Sequence, residues 1–139
     1  MTRLFIDTSV MLDLLGERIP FYESIAKIAT LADKGQVTIV ASALSYATVS
    51  YFLSKYENPE MAKSKFRKFK IISEICSIDE LIIEKGLNSN FKDFEDSLQY
   101  FSAVTSECDI LITRNGKDFK ESQIPVMTAD EYLQSIKKK

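Results

Sequence analysis

The chain has 139 residues, of which 45% are hydrophobic and 27% are charged, a balance typical of a globular protein with a hydrophobic core. We therefore expect one domain over residues 1–139. The formal net charge of −2 argues against long-range capture of nucleic acid, so any such contact would need a local basic patch or a bound cation. An acidic residue comes too early for a signal peptide, and no apolar run has membrane-spanning length, so we expect a cytoplasmic protein without membrane contact.

The sequence contains no histidine. This excludes nucleophilic schemes that depend on histidine, paired-histidine ribonuclease chemistry and nearly all zinc sites. An enzyme of this composition would rely on carboxylates, hydroxyls, amides and lysines, and oxygen ligands of that kind suit Mg²⁺ or Mn²⁺. Cys76 and Cys108 lie in apolar surroundings and form no CxxC pair, which indicates reduced thiols in the core.

The first third of the chain predicts two strands and two helices. Residues 3–7 have the pattern of a short buried strand, and helical spacing of apolar residues over 21–32 predicts a helix that ends at Gly35. The β-branched run 37–41 predicts a second strand. Ser42 is expected to cap the helix that follows it.

The rest of the chain continues this alternation. Asn58-Pro59 interrupts the chain before a predicted helix over 60–70, a strand is expected within 71–79, and a short helix within 79–87. The remaining segments predict a helix with an acidic start, a strand that runs into a polar turn, and a last strand and helix, in residues 88–108, 109–115 and 124–136.

Short apolar strands that alternate with helices indicate the α/β class. We expect a three-layer α/β/α sandwich with a mainly parallel central sheet. A dinucleotide-binding version of such a fold is disfavoured, because only 4 glycines are present and none form a GxGxxG motif. The closing lysines are expected to form a solvated tail.

Polar residues from three separate segments are expected at one edge of this sheet. Asp7 ends the first strand, and “TRNGKD” at 113–118 follows a later one. Asp93, Glu95 and Asp96 open the helix before that later strand, and Asp96 is expected to point inward because the periodic apolar face begins directly after it. Ligands of open parallel sheets bind beyond the carboxyl ends of the strands, so these oxygens predict a divalent-cation site.

Each of these residues also has a purely structural explanation. Asp7 is equally suited to capping the next helix, and acidic residues at 93–96 are favoured at any helix start by the helix dipole. Asn115-Gly116 is an ordinary turn signal. We interpret Asp13 as solvated or as supporting the site from behind, and Asp109 as a cap at the start of its strand. Only the combination of segments favours a functional site.

Four stretches of the chain resemble, in this order, a PIN domain: “LFIDTSVMLDLL”, “VASALSYATVSYFL”, “DFEDSLQYFSA” and “ILITRNGKDF”. The resemblance extends over essentially the whole chain, and the pairing of the last two stretches is more specific than the N-terminal aspartate. It implies a ribonuclease that depends on Mg²⁺ or Mn²⁺. Many small bacterial members of the family are the toxins of toxin–antitoxin pairs, so the resemblance also implies an RNA substrate, a small antitoxin partner and a homodimer.

The resemblance also implies roles for particular residues. Asp7 matches the first metal-binding aspartate of the family, and Asp96 matches the later one at the start of the helix before the fourth strand. Asn115 occupies the place of the final Asp or Asn, with Asp118 in support. Thr113 matches the hydroxyl residue at that strand end, where it would orient Asp7.

One position departs from the family pattern. Members commonly carry a glutamate in the helix after the second strand, and counting from Ser42 places Thr48 there. Threonine supplies no charge, so metal affinity should be reduced unless Asp93 or Glu95 compensates. The departure keeps a second function open, a PIN-fold protein that binds RNA or a protein partner without cleaving.

Basic residues on the helix over 60–70, together with two cations near the site, are the candidates for holding an RNA backbone. They are Lys63, Lys65, Arg67, Lys68 and Lys70 on the helix, and Arg114 and Lys117 nearer the site. An exposed amphipathic helix without a ligand explains the helix residues equally well.

Overall fold

The computed structural model describes residues 1–137, so the last two lysines of the expected tail lie outside the described residues. Five parallel strands form one sheet in the order β3-β2-β1-β4-β5. The strands are β1 (Arg3–Ile6), β2 (Thr38–Ser42), β3 (Ser73–Cys76), β4 (Ile110–Ile112) and β5 (Val126–Met127). Because β1 is the central strand, Asp7, which follows it, lies between the carboxyl ends of β2 and β4.

Seven helices occur within residues 1–137 and cover the sheet. They are α1 (Thr8–Leu15), α2 (Tyr22–Asp33), α3 (Ala43–Leu53), α4 (Pro59–Ile71), α5 (Glu80–Leu87), α6 (Phe94–Thr105) and α7 (Ala129–Lys137). A 3₁₀ turn, Gly116–Phe119, connects β4 to β5. No helix in this range is long and apolar enough to cross a membrane.

The two faces of the sheet bury different sets of side chains. Leu4 and Ile6 of β1 belong to a cluster with α1, α2, α3, α4 and α7, whereas Phe5 belongs to a cluster with α5 and α6. A parallel strand between two helical layers needs apolar residues on both faces, and this alternation provides them. The predicted α/β/α sandwich with a parallel sheet is confirmed.

Polar side chains cap the N-termini of several helices, including α3 and α4. Ser42 accepts a hydrogen bond from the Ser45 N–H at 3.2 Å, as predicted. The Asn58 side-chain oxygen caps α4 by accepting a hydrogen bond from the Met61 N–H at 2.8 Å. Asn58-Pro59 therefore starts a helix as well as interrupting the chain. These caps supply acceptors for backbone N–H groups that have no partner within the helix.

The two cysteines are free and buried, as predicted. Burial raises the pKa of the Cys108 thiol to about 12. A thiol with such a pKa stays protonated near neutral pH and behaves as a small apolar side chain.

Candidate active site

Asp7 lies at the carboxyl end of the central strand and uses both carboxylate oxygens. Oδ1 accepts a hydrogen bond from the backbone N–H of Val10 at 3.0 Å, which caps α1. Oδ2 accepts a hydrogen bond from the hydroxyl of Thr113, the residue after β4. Asp7 is only 7% exposed. Its helix-capping role is therefore real, and it leaves the second oxygen at the junction of β1 and β4.

Burial raises the pKa of the Asp7 carboxyl from its usual value near 3.8 to about 6. Hydrogen bonds from Thr113 and Val10 and the charge of Arg114 lower the pKa, but they do not cancel the effect of burial. The ionised carboxylate therefore lacks full compensation from its own surroundings. A bound cation would provide the missing compensation.

Asp96 lies half-buried in the first turn of α6, as its predicted inward orientation requires. Its backbone N–H donates to Asp93, the cap of this helix, at 3.1 Å. Burial raises the pKa of Asp96 to about 6, with further contributions from the charges of Asp93, Asp118, Asp7 and Glu95. Carboxylates from separate segments therefore share one region of negative potential around Asp96.

The turn after β4 carries the other predicted site residues. The Thr113 hydroxyl oxygen accepts a hydrogen bond from the Asn115 N–H at 3.1 Å, while its proton is donated to Asp7. The Asp118 N–H donates to the carbonyl oxygen of Asn115 at 2.9 Å. A cavity of about 270 Å³ beside this turn has a lining that includes Asp93, Asp96, Lys117 and Asp118. The turn thus supports Asp7 on one side and adds a carboxylate beside Asp96 on the other.

A buried network of hydroxyl and amide groups lies at the same edge, and sequence reasoning missed it. Gln99 donates from Nε2 to the hydroxyl oxygens of Thr8 at 2.9 Å and Ser45 at 3.0 Å. Its Oε1 accepts from the Ser42 hydroxyl at 3.1 Å, and the Thr8 and Ser45 hydroxyl oxygens lie 2.8 Å apart. We call these four residues the Gln99 network. A signal existed in the sequence, because Gln99 lies three positions after Asp96 and three before Ser102, on a helical face of polar and small residues.

The place expected for the family's middle glutamate lies on α3. Thr48 is half-buried there, whereas Ser45, one turn earlier, reaches the Gln99 network. Glu95 is exposed, and its Oε1 lies 3.4 Å from the Thr8 hydroxyl oxygen, at the long end of hydrogen-bond distances. Glu95 is therefore the acidic side chain of α6 that comes into contact with the start of α1.

Asp13 is 2% exposed, so the expectation that it is solvated is wrong and only a supporting role agrees with its position. Arg114 donates to it from Nε at 2.8 Å and from Nη2 at 3.3 Å, and Arg18 Nε lies 3.7 Å away. The Arg114 guanidinium also lies 3.9 Å from the centre of the Phe21 ring. This ion pair connects the turn that begins at Thr113 to α1. Asp13 also neutralises the charge of Arg114, and a contact between Arg114 and RNA stays a prediction.

Most basic residues of α4 are exposed: Lys63, Arg67, Lys68 and Lys70. Lys65 is engaged, since its ammonium donates to the Leu15 carbonyl oxygen at 3.0 Å and to the Glu57 carboxylate at 2.9 Å. Lys117 is exposed in the cavity that Asp96 lines. Four lysine or arginine side chains of α4 and Lys117 are thus open to a phosphate backbone.

The residues at this edge fit a cation that keeps part of its hydration. Within residues 1–137, no three His, Cys, Asp or Glu side chains are grouped so that they could hold a metal ion by themselves. Mg²⁺ commonly binds through only one or two protein carboxylates and completes its shell with water and substrate phosphate. Asp7 and Asp96 provide two carboxylates, and the charge of Asp7 contributes to the raised pKa of Asp96. The donor set therefore fits Mg²⁺ or Mn²⁺ bound in that manner.

The strand order of this parallel sheet reverses about β1, and Asp7 lies at the carboxyl end of that strand. In open α/β proteins, ligands bind at such a switch point. The sequence profile of the PIN domain matches residues 3–117. The chain belongs to the PIN domain family, as its four motifs predicted.

Individual relatives agree with this assignment. The chain is 28% identical over 137 residues to “Ribonuclease VapC1” of Aquifex aeolicus (strain VF5), covering 95% of this chain and 94% of that protein. VapBC2 from Rickettsia felis, crystallised bound to a DNA fragment from their promoter, matches with a TM-score of 0.64 at 20% identity, over 91% of this chain and 97% of that one. VapC20 of Mycobacterium tuberculosis, a “Sarcin-Ricin loop cleaving toxin”, matches with a TM-score of 0.61 at 10% identity, over 78% and 86%. The two structural matches show a common fold.

Proposed function

We propose that this protein is an endoribonuclease that hydrolyses RNA phosphodiester bonds with the help of Mg²⁺ or Mn²⁺. The observation that carries the proposal is the pairing of a buried, poorly compensated Asp7 with the acidic cluster around Asp96 at one edge of the sheet. RNA as the substrate is supported by the likeness to Ribonuclease VapC1.

Asp7 and Asp96 would hold the cation, with Asp93 and Glu95 as additional acidic groups. When bound, the cation lowers the pKa of water and neutralises charge that develops on the phosphate. Thr113 keeps the Asp7 carboxylate in one orientation through its hydrogen bond. A carboxylate near the cavity, such as Asp118, takes the proton of the attacking water, a task for which the chain has no histidine.

Exposed cations would hold the RNA backbone outside the cluster. Lys117 lies in the cavity next to Asp96, and Lys63, Arg67 and Lys70 are exposed on α4. Contacts of this kind act through charge and weaken as salt concentration rises. Asn115, exposed at the turn after β4, is proposed to contact the scissile phosphate or a water beside it.

Calorimetric titration with Mn²⁺ tests the metal site. We expect measurable binding to the wild type and at least about tenfold weaker binding to Asp7→Asn, because that change removes the charge but keeps the shape of the side chain. Asp109→Asn is the matched control: this exposed carboxylate accepts a hydrogen bond from the Arg3 N–H at the opposite edge of the sheet. It should bind Mn²⁺ like the wild type.

A second function is favoured by Thr48 and by the absence, within residues 1–137, of three grouped acidic ligands. It is a PIN-fold protein that binds RNA or a protein without cleaving. No heat of Mn²⁺ binding at millimolar concentration, together with intact RNA after incubation, would contradict the hydrolase and favour this second function.

We further propose that the protein is a cytoplasmic toxin neutralised by a small antitoxin encoded beside it. The likeness to a VapBC assembly and to a toxin supports this role. Co-expression with the neighbouring short reading frame should relieve growth inhibition and yield a complex on purification. A genome without a short reading frame next to this gene would contradict the toxin role.

A further inference from the structure

We propose that Gln99 is a positioning residue, which holds the first turns of α6, and with them Asp96, against the strand ends that carry Asp7. This inference rests on the proposed function for its consequence, but its structural content does not depend on catalysis.

The placement of Gln99 makes it suited to this task. It is 2% exposed, and it lies three residues after Asp96, so both side chains leave α6 on neighbouring positions of one face. The Asp96 carboxylate accepts no hydrogen bond from β1 or β2. Gln99, in contrast, bonds to Thr8 just after β1 and to Ser42 at the end of β2. Thr8 begins α1 directly after Asp7, and Ser42 ends β2.

The side-chain amide of Gln99 has a partner for each of its protons and for its oxygen. Both Nε2 protons of Gln99 are used, one on Thr8 and one on Ser45. Ser42 already accepts from the Ser45 N–H, so its own proton is free to be donated to Oε1 of Gln99. In this orientation of the amide, Nε2 faces two hydroxyl oxygens and Oε1 faces the third.

Such a network selects one position of α6. The apolar contacts of α6 with the sheet are not directional, and they permit small shifts along the helix axis. Four hydrogen-bonded side chains, distributed over α1, β2, α3 and α6, do not permit such shifts without lengthening these bonds and leaving buried polar atoms unpaired. The Thr8 hydroxyl also reaches Glu95 at 3.4 Å, so the network ends at the acidic cluster.

The test compares Gln99→Met with Ala103→Gly. Methionine keeps the volume and the helix preference of Gln99 but cannot make the three bonds. Ala103 is fully buried one turn after Gln99, in the core cluster of Phe5, α5 and α6, and it makes none of the hydrogen bonds of the network. Ala103→Gly therefore loosens α6 and keeps the network. Both variants are studied well below their unfolding temperatures, by amide hydrogen exchange without metal and by Mn²⁺ titration.

We expect Gln99→Met to speed amide exchange selectively at residues 93–99 and to weaken Mn²⁺ binding by about tenfold or more. Ala103→Gly should spread its effect along α6 and keep the wild-type Mn²⁺ affinity. Gln99→Met with wild-type exchange at residues 93–99 would overturn the inference, as would equal losses of Mn²⁺ affinity in the two variants. If the wild type binds no Mn²⁺, the metal-dependent function fails, and the exchange measurement alone decides the positioning role.

Discussion

Asp7 and Asp13 are two buried carboxylates, one at the cap of α1 and one within it, and they are compensated differently. Asp13 has a bidentate partner in Arg114, whereas Asp7 has hydrogen bonds from neutral groups only. A cationic partner neutralises the charge of a buried carboxylate, whereas hydrogen bonds from neutral donors leave most of that charge uncompensated. Asp13 is therefore a structural residue, and Asp7 is the one suited to a ligand.

The raised pKa of Asp7 predicts how stability depends on pH without metal. The folded pKa of about 6 exceeds the ordinary value of 3.8, so the folded state binds the proton more tightly. Protonated Asp7 therefore stabilises the folded state. This contribution is fully present below the pKa of Asp7 in the unfolded chain and is lost as the pH rises through about 6. In a metal chelator, urea unfolding should give a free energy about 1 kcal/mol higher near pH 5 than near pH 7.5 from Asp7 alone.

Asp7→Asn is the control for this pH dependence, since asparagine cannot titrate. The variant should lose the part of the difference between the two pH values that comes from Asp7, about 1 kcal/mol, and retain the part that comes from Asp96, whose pKa is also raised. A wild type that becomes more stable as pH rises through this range in the chelator would contradict the assignment.

Removing Arg114 should be costly because it leaves Asp13 buried with only the more distant Arg18. We expect Arg114→Ala to lower the free energy of unfolding by about 3 kcal/mol in urea titrations. The double variant Asp13→Leu with Arg114→Met should recover most of this loss, because no unpaired charge is then buried. Lys27→Ala, which breaks an exposed pair with Glu23, should cost less than about 0.5 kcal/mol.

At the scale of elements, the position of α6 depends on its contacts with α5 as well as on the Gln99 network. Gly86 of α5 lies against the first turns of α6. A Cβ at this position would lie 2.7 Å from the Ser97 Oγ, 3.1 Å from the Phe94 ring and 3.2 Å from Leu98. Since Asp96 lies in the same turns, the absence of a side chain at residue 86 allows the approach that brings Asp96 to the site.

Gly86→Ala should therefore destabilise the protein although alanine favours helices by about 1 kcal/mol over glycine. The clash with α6 should outweigh this gain and lower the free energy of unfolding by a net amount of about 1 kcal/mol. Adding Ser97→Ala removes the atom at 2.7 Å and should restore part of the loss in urea titrations. Higher stability for Gly86→Ala alone would show that α6 moves freely against α5.

At the scale of the whole molecule, three aromatic side chains at the end of α3 and just beyond it are exposed. Tyr51, Phe52 and Tyr56 are 63%, 39% and 86% exposed. Tyr46, on the same helix, instead packs against Phe66 with ring centres 5.4 Å apart. The sequence hint that these aromatics do not all fit one core thus applies to three of the four, and an exposed apolar group of this kind is typical of an interaction surface.

We propose that the protein is a homodimer that buries these three aromatic residues. Light scattering after size exclusion should give twice the chain mass for the wild type, and Tyr51→Ser with Tyr56→Ser should shift it towards the monomer. Leu81→Ser, which removes a 56% exposed side chain from α5 on the other side of the sheet, should leave the mass unchanged. A wild type that is monomeric at high concentration would contradict the dimer.

The sequence by itself determined the α/β class and most of the candidate site. Short apolar and β-branched runs in the strands and a spacing near 3.6 in the helices are local properties, and they located most of the elements within a few residues. Asp7, Asp96 and the Thr113–Asp118 turn were predicted because each follows or precedes a recognisable element. The lack of histidine restricted the chemistry before any fold was known.

Only the tertiary structure decided which side chains are partners. Thr113 and Asp7 are 106 residues apart, Arg114 and Asp13 are 101 apart, and Gln99 and Ser45 are 54 apart. These pairs depend on which strands are neighbours and on how each helix is rotated, and both are consequences of packing the whole core. A buried hydrogen bond or ion pair has no local periodicity, so the roles of Gln99, Asp13 and Arg114 became visible only once the layers were assembled.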